Sequence, residues 1–382
     1  MSAGKPRSAS GQRTLPGEYF TSAAIFHEEA ERIFGSRWLF AGQVARIPKP
    51  GDWFLFELGG ESVVVVRDRA GLVRAHHNVC RHRGSRICLA ESGSAPVGLQ
   101  CPYHAWTYEL DGRLRAAPNM SDVAGFDRAA LPLQSVPVEV WEGLVFVHLG
   151  AAPRPFAEEM AALAGRFERW RLAELVPVHR TVYEVEANWK LFFHNYSECY
   201  HCPTVHPHLN ALTPYRNTTN DLDSGAVLGG PMWMTNADGS MTIGGQRCAP
   251  LLPGLGEADR GHVLYYIVFP SMFLSLHPDY ALVHRAQPLA VGRTRIVCEW
   301  LFHPDAVAAP GFDPEPAIEF WDLTNRQDWE LCANAQQGVG SRAYVPGPYS
   351  ELESQLAAFD REYLAAMGRG DGSRRLATPR PG

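Results

Sequence analysis

Short apolar runs separated by turn signals predict a small all-β unit in the first half of the chain. Gly59-Gly60 and the stretch 68–71 interrupt runs that are rich in β-branched and aromatic residues, and Asp111-Gly112 marks a later hairpin. The runs predicted as strands are 53–58, 62–67, 72–79 and 144–149. We therefore expect residues 40–152 to form one all-β domain.

The flanking parts of the chain combine helical and strand patterns. Apolar residues at helical spacing predict helices at 22–38, 187–202 and 315–337, and a helical run that ends near residue 175. Strands are predicted at 176–185, 263–276, 280–288 and 294–302. Strands in series with a few long helices are typical of an α+β fold, in which helices pack on an antiparallel sheet.

Both ends of the chain are poor in apolar residues, and we expect them to be disordered and solvated. The expected segments are a disordered N-terminus at 1–16, a helix within 17–39, the all-β domain at 40–152, the larger domain at 153–367 and a disordered tail at 368–382.

Composition excludes several kinds of partner. The 382 residues carry a formal net charge of −6, which argues against a nucleic-acid or anionic-membrane partner. No apolar run approaches the roughly 18 residues of a membrane span. The N-terminus also lacks the apolar core of a secretory signal. We therefore expect a cytoplasmic protein that does not bind membranes.

The eight cysteines are too few for a disulfide scaffold in a chain of this length. Two of them lie in a candidate metal motif. We expect the other six to be buried free thiols of a reducing compartment, although two of them share a paired spacing. These six are Cys88, Cys199, Cys202, Cys248, Cys298 and Cys332, and the spaced pair is Cys199 with Cys202.

Two short pairs of metal-binding residue types form the first candidate site. Cys80-x-His82 is followed, after 18 intervening residues, by Cys101-x-x-His104. Each pair offers one thiolate and one imidazole, so two cysteines can hold one iron and two histidines the other iron of a Rieske two-iron two-sulfur cluster. Such a cluster has a raised reduction potential and transfers one electron at a time. Structural zinc is the alternative, since two Cys and two His also suit tetrahedral zinc.

The stretch 187–208 forms the second candidate site. As a helix it would place His194, Glu198 and His201 on one face, at spacings of four and three. Pro203 should end that helix, so His206 would follow on a turn. Mononuclear iron(II) that activates oxygen requires two imidazoles and one carboxylate. Spacing alone does not choose between the set His194, Glu198, His201 and a set that includes His206.

The two stretches together resemble the α subunits of Rieske mononuclear iron oxygenases, over about residues 17–365. The resemblance implies an all-β Rieske domain inserted near the N-terminus of a helix-grip catalytic domain. It also implies that His201 and His206 bind the mononuclear iron together with Asp328, which follows Gln327, with Asp322 as the runner-up. The motifs that carry the resemblance are Cys80-x-His82-Arg83-Gly84, Cys101-Pro-Tyr-His-Ala-Trp106, Asn188-Trp189-Lys190, Asn195, Glu198, Tyr200-His201 and His206.

The resemblance further implies a catalytic role for Glu198 and for Asn195, which belongs to the same motif. In this family the position of Glu198 lies between a metal histidine and a Rieske histidine of the neighbouring subunit. Glu198 would then hydrogen-bond His201 of its own chain and His104 of the partner subunit, as an electron bridge across a homotrimer. The ring-hydroxylating enzymes have Asp at this position. Glu also occurs there in the branch that oxidises quaternary ammonium compounds, and in this respect the chain resembles that branch.

The implied cofactors are the Rieske cluster, mononuclear iron(II) and O2, with NAD(P)H acting indirectly. The chain has no Gly-rich nucleotide fingerprint and no plant-type ferredoxin cysteine set, so electrons must come from a separate reductase of flavin or ferredoxin type. Two alternatives remain, which are hydroxylation of an aromatic ring and, remotely, an electron carrier. The carrier is disfavoured by about 230 residues beyond the Rieske domain.

The whole-chain pattern is similar to the choline, glycine betaine, carnitine and stachydrine group of these oxygenases. It implies a small-molecule substrate that is hydroxylated at a carbon next to nitrogen, which becomes N-demethylation when that carbon is a methyl group. Aromatic side chains can hold a trimethylammonium group by cation–π attraction. The candidate pocket residues are Trp233, Tyr265, Tyr266, Phe269 and Phe273.

Overall fold

The computed structural model describes residues 11–369. Residues 1–10 and 370–382, which fall in the segments expected to be disordered, lie outside the described part. The helices are α1 (Glu18–Thr21), α2 (Ala23–Glu29), α3 (Phe156–Glu159), α4 (Trp189–Tyr196), α5 (Cys202–Val205), α6 (Pro207–Leu212), α7 (Pro304–Ala308), α8 (Glu315–Val339) and α9 (Ser354–Ala366).

The strands form four antiparallel sheets, with the orders β4-β3-β2-β5, β6-β7-β8, β1-β10-β9 and β11-β16-β15-β14-β13-β12. The strands of the first part of the chain are β1 (Leu39–Gln43), β2 (Asp52–Leu58), β3 (Glu61–Arg67), β4 (Val73–His77), β5 (Ser92–Ser94), β6 (Leu99–Gln100), β7 (Thr107–Tyr108), β8 (Leu114–Ala116), β9 (Val138–Trp141) and β10 (Leu144–Val147). Those of the second part are β11 (Val176–Val185), β12 (Val227–Trp233), β13 (His262–Val268), β14 (Met272–Leu276), β15 (Ala281–Ala290) and β16 (Arg293–Phe302).

Strand β3 is buried on both faces, which explains its run of four valines. Val63 and Val65 belong to the hydrophobic core that the two domains share. Val64 and Val66 face the opposite way and pack in a second core that contains Cys80 and Cys101. The sheet therefore supports the metal-ligand loops on one face and contacts the larger domain with the other.

The six-stranded sheet is the scaffold of the larger domain, and α4, α8 and α9 pack together on it. The expected strand at 263–276 is two strands, β13 and β14, joined by a turn in which the Ser271 N–H donates to the Val268 carbonyl. Pro270 in this turn has no N–H with which to continue a ladder. The α+β architecture expected from the sequence is confirmed.

Several elements differ from the expectations. The run before residue 175 forms α3 and isolated 3₁₀ turns, because Ala164 is extended and Gly165 and Arg171 have left-handed φ values of 69° and 48°, which a helix excludes. The helix expected at 22–38 is α2 followed by a π-helical segment, Ala30–Phe34. Strand β12 and helix α9 were not predicted.

The expectation of disorder is wrong for residues 11–16. Thr14 donates its N–H to the Gly347 carbonyl at 3.0 Å, Arg13 donates to the Pro346 carbonyl at 2.8 Å, and Leu15 is buried. A short polar segment is thus ordered by a partner distant in sequence, which local composition does not reveal.

The two domains are joined by buried polar contacts as well as by the shared core. Arg285 donates to the Ala41 carbonyl at 2.6 Å, and Ser271 Oγ accepts the Phe40 N–H at 2.9 Å. Gln43 Nε2 donates to Glu299 at 3.3 Å. These contacts fix the Rieske-type domain against the sheet. Between residues 11 and 369 no helix is long and apolar enough to cross a membrane.

A fully buried ion pair joins three distant segments of the chain. Lys190 Nζ donates to Glu29 Oε1 at 2.5 Å, Trp189 Nε1 donates to Glu29 Oε2 at 2.8 Å, and Tyr363 Oη donates to Glu29 Oε1 at 2.6 Å. Both charged side chains are 0% exposed. Burial lowers the pKa of Lys190 to about 8, although the charge of Glu29 opposes the shift. The pair thereby connects α2, α4 and α9.

We expect Glu29→Gln to destabilise the protein by about 3 kcal/mol, because it leaves the Lys190 ammonium buried without an anionic partner. Glu28→Gln is the matched control, since Glu28 forms a partly exposed pair with Arg32 that should contribute less than about 1 kcal/mol. The free energy of unfolding is measured by urea titration. Equal losses in the two variants would contradict the central role of Glu29.

Candidate functional site

The two metal-ligand loops have the same backbone design. In each, the residue four positions after the cysteine donates its N–H back to the cysteine carbonyl, at 3.0 Å from Gly84 and 3.1 Å from Ala105. These two residues have left-handed φ values of 74° and 56°. The tight turns direct the Cys80-x-His82 and Cys101-x-x-His104 segments to one end of the all-β domain.

The four expected cluster ligands meet there, with the thiols inside and the imidazoles outside. Cys80 and Cys101 are 3% and 2% exposed, whereas His104 is exposed. The rings of His82 and His104 lie 4.7 Å apart between centroids. Tyr108 contacts the Cys80 sulfur at 3.3 Å and accepts the Arg81 N–H.

This geometry fits a two-iron cluster better than a zinc ion. His82 Nδ1 is buried without a hydrogen-bond partner, as expected of a metal-binding nitrogen. Within the described range, no three of the four ligands bring their donor atoms within 4.8 Å of one another, as one tetrahedral ion would require. The residues present therefore suit a cluster with one iron on the buried sulfurs and one on the outer imidazoles.

Helix α4 ends at Tyr196, earlier than the expected end at residue 202. The side chain of Ser197 donates to the Phe193 carbonyl at 2.5 Å, and Glu198 Oε2 accepts the N–H of His201 at 3.3 Å and that of Tyr200. Such local side-chain bonds compete with the helical ladder. Glu198 and His201 consequently lie on a turn between α4 and α5.

The three iron ligands that the resemblance implies lie close together beside this turn. His201, His206 and Asp328 place one donor atom each within 4.8 Å of the others. His206 Nε2 lies 2.7 Å from Asp328 Oδ1, and His201 Nε2 lies 3.3 Å from the same oxygen. The turn supplies the first histidine, the start of α6 the second, and the middle of α8 the carboxylate. Two imidazoles and one carboxylate are the set that binds non-haem iron(II) with positions left for other ligands.

Outer hydrogen bonds fix both imidazoles. Glu198 Oε1 accepts from His201 Nδ1 at 2.6 Å, and Gln327 Oε1 accepts from His206 Nδ1 at 2.7 Å. Each Nδ1 therefore carries a proton, and each Nε2 is the atom that would bind a metal. Asn195 Nδ2 donates to Asp328 Oδ1 at 3.1 Å and orients the carboxylate.

The site favours positive charge. Burial disfavours the imidazolium of His201, but hydrogen bonds to Asp328 and Glu198 outweigh burial and raise the pKa of His201 to about 10. Burial likewise opposes ionisation of Asp328, but hydrogen bonds from His201 and His206 hold the pKa of Asp328 below its usual value. A cation at this point would be stabilised by the same carboxylates.

The other candidates for this metal have structural partners. His194 is buried, bonds Asp360 at 2.8 Å and packs against Phe20 and Phe359. Asp322 accepts from the Tyr183 hydroxyl at 2.7 Å and pairs with Arg326. The fold therefore assembles the set that contains His206 and Asp328.

The expectation of six free thiols is wrong for one pair. Cys199 and Cys202 form a disulfide, with 4.9 Å between their Cα atoms, and they flank His201. The two cysteines lie in the turn between α4 and α5, where the Cys202 N–H donates to the Cys199 carbonyl at 3.1 Å. Cys88, Cys298 and Cys332 are buried free thiols, and Cys248 is a half-buried one.

A cavity opens at the three convergent side chains. Its wall includes Glu198, Asp328 and strand β12 at Gly229 and Gly230. Rings in the wall form edge contacts, with 6.2 Å between the centroids of Tyr196 and Tyr265 and 6.1 Å between those of Tyr265 and Trp321. The aromatic residues of the wall are Tyr196, Tyr200, Tyr215, Tyr265 and Trp321.

Of the expected pocket aromatics, Tyr265 alone lines this cavity. Trp233 is 42% exposed at the end of β12. Tyr266 points to the opposite face of β13, where it donates to Asp221 at 2.7 Å, and Phe269 is buried against Trp189. Phe273 stacks beneath Tyr196 in the core. Adjacent strand residues face opposite sides, which explains why the neighbouring tyrosines separate.

Sequence reasoning missed the roles of Gln327, Tyr196, Tyr215, Trp321 and Gln355. Gln327 carried a signal, since it precedes Asp328 on a helix and could be expected near the same metal. The other four join the cavity wall from α4, a loop, α8 and α9. Only the packing of these segments brings them together.

Comparisons with known proteins agree with this geometry. The sequence profile of the Rieske [2Fe-2S] domain matches residues 37–127, and that of the ring hydroxylating alpha subunit (catalytic domain) matches residues 172–369. The glycine betaine monooxygenase oxygenase subunit of Chromohalobacter salexigens is 33% identical over 90% of this chain and 83% of its own. The carnitine monooxygenase oxygenase subunit of Escherichia coli (strain K12) is 34% identical over 51% of this chain and 52% of its own.

Solved structures share the fold at lower identity. The quaternary ammonium Rieske monooxygenase CntA, in complex with its substrate L-carnitine, superposes with a TM-score of 0.78 at 23% identity, over 96% of this chain and 99% of that one. Naphthalene 1,2-dioxygenase from Rhodococcus sp. superposes with a TM-score of 0.74 at 19% identity, over 93% and 94%. With both domain profiles matched and a relative similar over most of its length, the chain belongs to the family of Rieske non-haem iron oxygenases, as a subunit that carries the cluster domain and the catalytic domain.

Proposed function

We propose that this chain is the terminal oxygenase of a Rieske system that hydroxylates, and thereby N-demethylates, a small quaternary ammonium compound. The observation that carries the proposal is the composition of the cavity wall. Five aromatic side chains and the carboxylates of Glu198 and Asp328 surround the space beside the proposed iron ligands. Aromatic faces and carboxylates attract a desolvated cation, which a trimethylammonium group supplies.

The names of relatives support this substrate class. The relatives at 33% and 34% identity are named for glycine betaine and carnitine, and the choline monooxygenase of Arabidopsis thaliana is 27% identical over 91% of this chain and 81% of its own. Those three compounds have a quaternary ammonium centre in common. We therefore propose for this chain a substrate with a quaternary ammonium centre, without choosing any one of the three compounds.

We assign the cluster to Cys80, His82, Cys101 and His104, and the mononuclear iron to three further residues, His201, His206 and Asp328. When bound, the cluster supplies single electrons and the mononuclear iron supplies activation of O2. The protein holds the imidazoles in the correct tautomers through Glu198 and Gln327, orients Asp328 through Asn195, and encloses the substrate cation against aromatic rings.

The overall conversion requires two electrons. A trimethylammonium group, O2, two electrons and two protons give an N-hydroxymethyl group and water, and the N-hydroxymethyl group then releases formaldehyde and leaves a protonated dimethylamine. We propose that a separate flavin or ferredoxin-type reductase delivers the electrons from NAD(P)H, in the cytoplasm.

We propose that electrons cross between subunits of a homotrimer. The outer imidazole of His104 is exposed, and beside the iron ligands Glu198 lies next to Tyr200, which is 56% exposed. The shared core and the hydrogen bonds between the two domains hold the cluster domain in place, so the cluster is not free to move to its own iron site. Docking of a neighbour would let Glu198 accept from His201 and from His104 of the partner subunit, since a carboxylate accepts several hydrogen bonds.

The function is tested by O2-dependent turnover of the iron-loaded protein with a surrogate reductase and NADH. We expect formaldehyde in step with O2 consumed when a trimethylammonium compound is supplied. A panel of betaines, carnitine, choline and simple aromatic acids is read by product mass. A gain of two oxygen atoms on an aromatic acid, with no ammonium compound converted, would contradict the proposal in favour of ring hydroxylation.

Asp328→Asn should remove the mononuclear iron and leave the cluster, because an amide is a neutral and weaker iron ligand. We expect iron analysis to fall from about three to about two atoms per chain, with the cluster absorbance unchanged. Asp322→Asn is the matched control on the same helix and should retain all the iron. If Asp322→Asn lost iron and Asp328→Asn did not, the ligand assignment would be wrong.

Glu198→Gln should keep both metal sites loaded and slow reoxidation of the reduced cluster by roughly 10- to 100-fold in the presence of substrate and O2. The amide neutralises the proposed bridge and disturbs the His201 tautomer. Glu330→Gln, at an exposed position on α8, is the control and should reoxidise normally. Stopped-flow absorbance of the cluster measures the rate, and an unchanged rate in Glu198→Gln would exclude this residue from the electron path.

A further inference from the structure

The disulfide between Cys199 and Cys202 spans His201, one of the proposed iron ligands. Both cysteines line the cavity. Cys199 is half-buried, whereas the free thiols of Cys298 and Cys332 are fully buried. The disulfide therefore lies beside the site, at a residue that solvent can reach.

The same pair connects the backbone around both proposed iron histidines. The Cys202 N–H donates to the Cys199 carbonyl at 3.1 Å, and the Cys202 carbonyl accepts the His206 N–H at 2.8 Å. His201 lies between the two cysteines in the chain. A covalent bond between residues 199 and 202 therefore restrains His201 directly, and it restrains His206 through one backbone hydrogen bond.

The short helix after the turn has little stability of its own. Glu198 accepts the His201 N–H, but α5 has only four residues and no side-chain cap at its N-terminus. A single helical turn is unstable by itself, because its first hydrogen bonds do not offset the entropy lost in ordering it. A disulfide removes conformational freedom from such a segment. We therefore expect the turn to be looser when Cys199 and Cys202 are two thiols.

The position of the disulfide argues against a purely structural role. Its cysteines are three residues apart, and a disulfide that closes so short a loop stabilises a whole fold least. The remaining described cysteines are free thiols. Disulfides are rare in the reducing cytoplasm, which is the proposed location, and those that form there are usually transient and redox-active. The effect of this disulfide is therefore local and reversible.

We propose that Cys199 and Cys202 form a reversible redox switch that controls retention of the mononuclear iron. The disulfide holds His201 and His206 in the arrangement in which their donor atoms converge with that of Asp328. Reduction to two thiols loosens the turn and speeds the loss of iron. The inference rests on the proposed function, because it takes these three residues as the iron ligands.

The switch transfers two electrons and two protons in each direction. Two thiols and one hydrogen peroxide give the disulfide and two waters, through a sulfenic acid on one cysteine. A dithiol reductant of the thioredoxin class reverses the step, and it becomes a disulfide itself while Cys199 and Cys202 recover their protons. Peroxide has a source in the proposed reaction, because O2 that takes up two electrons and two protons without attacking a substrate leaves as hydrogen peroxide. The disulfide then retains iron during uncoupled turnover.

The test measures iron release from the loaded protein under anaerobic conditions. One sample is oxidised with oxidised glutathione and the other is reduced with tris(2-carboxyethyl)phosphine, and alkylation followed by intact mass counts the thiols of each. The reagents are then removed, and an iron(II) chelator is added. We expect the reduced protein to lose its mononuclear iron about tenfold faster, with the cluster absorbance unchanged in both samples.

Variants separate the switch from effects of the reagents. The double variant Cys199→Ser, Cys202→Ser should release iron at the faster rate after either treatment, because it cannot form the disulfide. Cys248→Ser is the matched control, since it removes a half-buried free thiol outside the turn. It should show the same difference between the two treatments as the unmodified protein.

A second measurement needs no variant. If the disulfide favours iron binding, iron must favour the disulfide by the same factor. Half-reduction of the iron-loaded protein should therefore require a ratio of squared reduced glutathione to oxidised glutathione about tenfold higher than half-reduction of the same protein stripped of its mononuclear iron. Alkylation and intact mass again count the thiols.

The outcomes separate the switch from the proposed function. If the reduced protein releases iron no faster than the oxidised protein, or if neither treatment changes the thiol count, the switch is overturned while the proposed function stands. If Asp328→Asn binds as much iron as the unmodified protein, the ligand assignment fails and the switch fails with it.

Discussion

The buried carboxylate of Glu29 is the constraint on which the position of the proposed iron site depends. It accepts hydrogen bonds from Trp189, Lys190 and Tyr363, and so joins α2, α4 and α9 at one point inside the protein. Lys190 also lies 5.0 Å from the ring centroids of both Trp189 and Tyr363. Helix α4 leads directly into the turn of Glu198 and His201, so an anchor at its first residues places that turn.

The proposed iron site is also built from paired charges and hydrogen bonds. Here, however, the set is complete only when a metal cation binds. Asp328, Glu198 and Gln327 supply hydrogen-bond acceptors around two imidazoles, and Asn195 donates to Asp328. The hydrogen bonds to Glu198 and Gln327 use the Nδ1 atoms and leave the Nε2 atoms directed at one carboxylate oxygen. A metal cation completes such a set.

The contact between the domains determines how electrons can travel. The shared core and the bonds from Arg285 to Ala41, Ser271 to Phe40 and Gln43 to Glu299 hold the cluster domain rigidly on the sheet. Of the two imidazoles expected to hold the cluster, that of His104 is exposed to solvent, whereas His82 is half-buried against Trp106. A rigid domain with an exposed outer imidazole suits transfer to a neighbouring molecule, which is the physical basis for the proposed trimer.

Local patterns in the sequence were enough to predict the two domains, their order and the types of metal-binding residue. Alternating apolar residues encode strands, and Cys-x-His and His/Glu spacings encode ligand chemistry, because both depend on near neighbours in the chain. It could not choose between His194 and His206 from spacing, since both lie close to His201 in sequence. The family resemblance favoured His206, and the fold places His194 against Asp360 instead.

Contacts between distant segments explain the cavity wall and the departures from expectation. Tyr265 faces the cavity while Tyr266 faces away, Cys199 and Cys202 form a disulfide in the turn after α4, and Gln355 comes from a helix that was not predicted. Each of these facts depends on the register of a strand, the end of a helix or the docking of a distant segment. Those are properties of contacts between residues far apart in the chain, and local pattern carries no record of them.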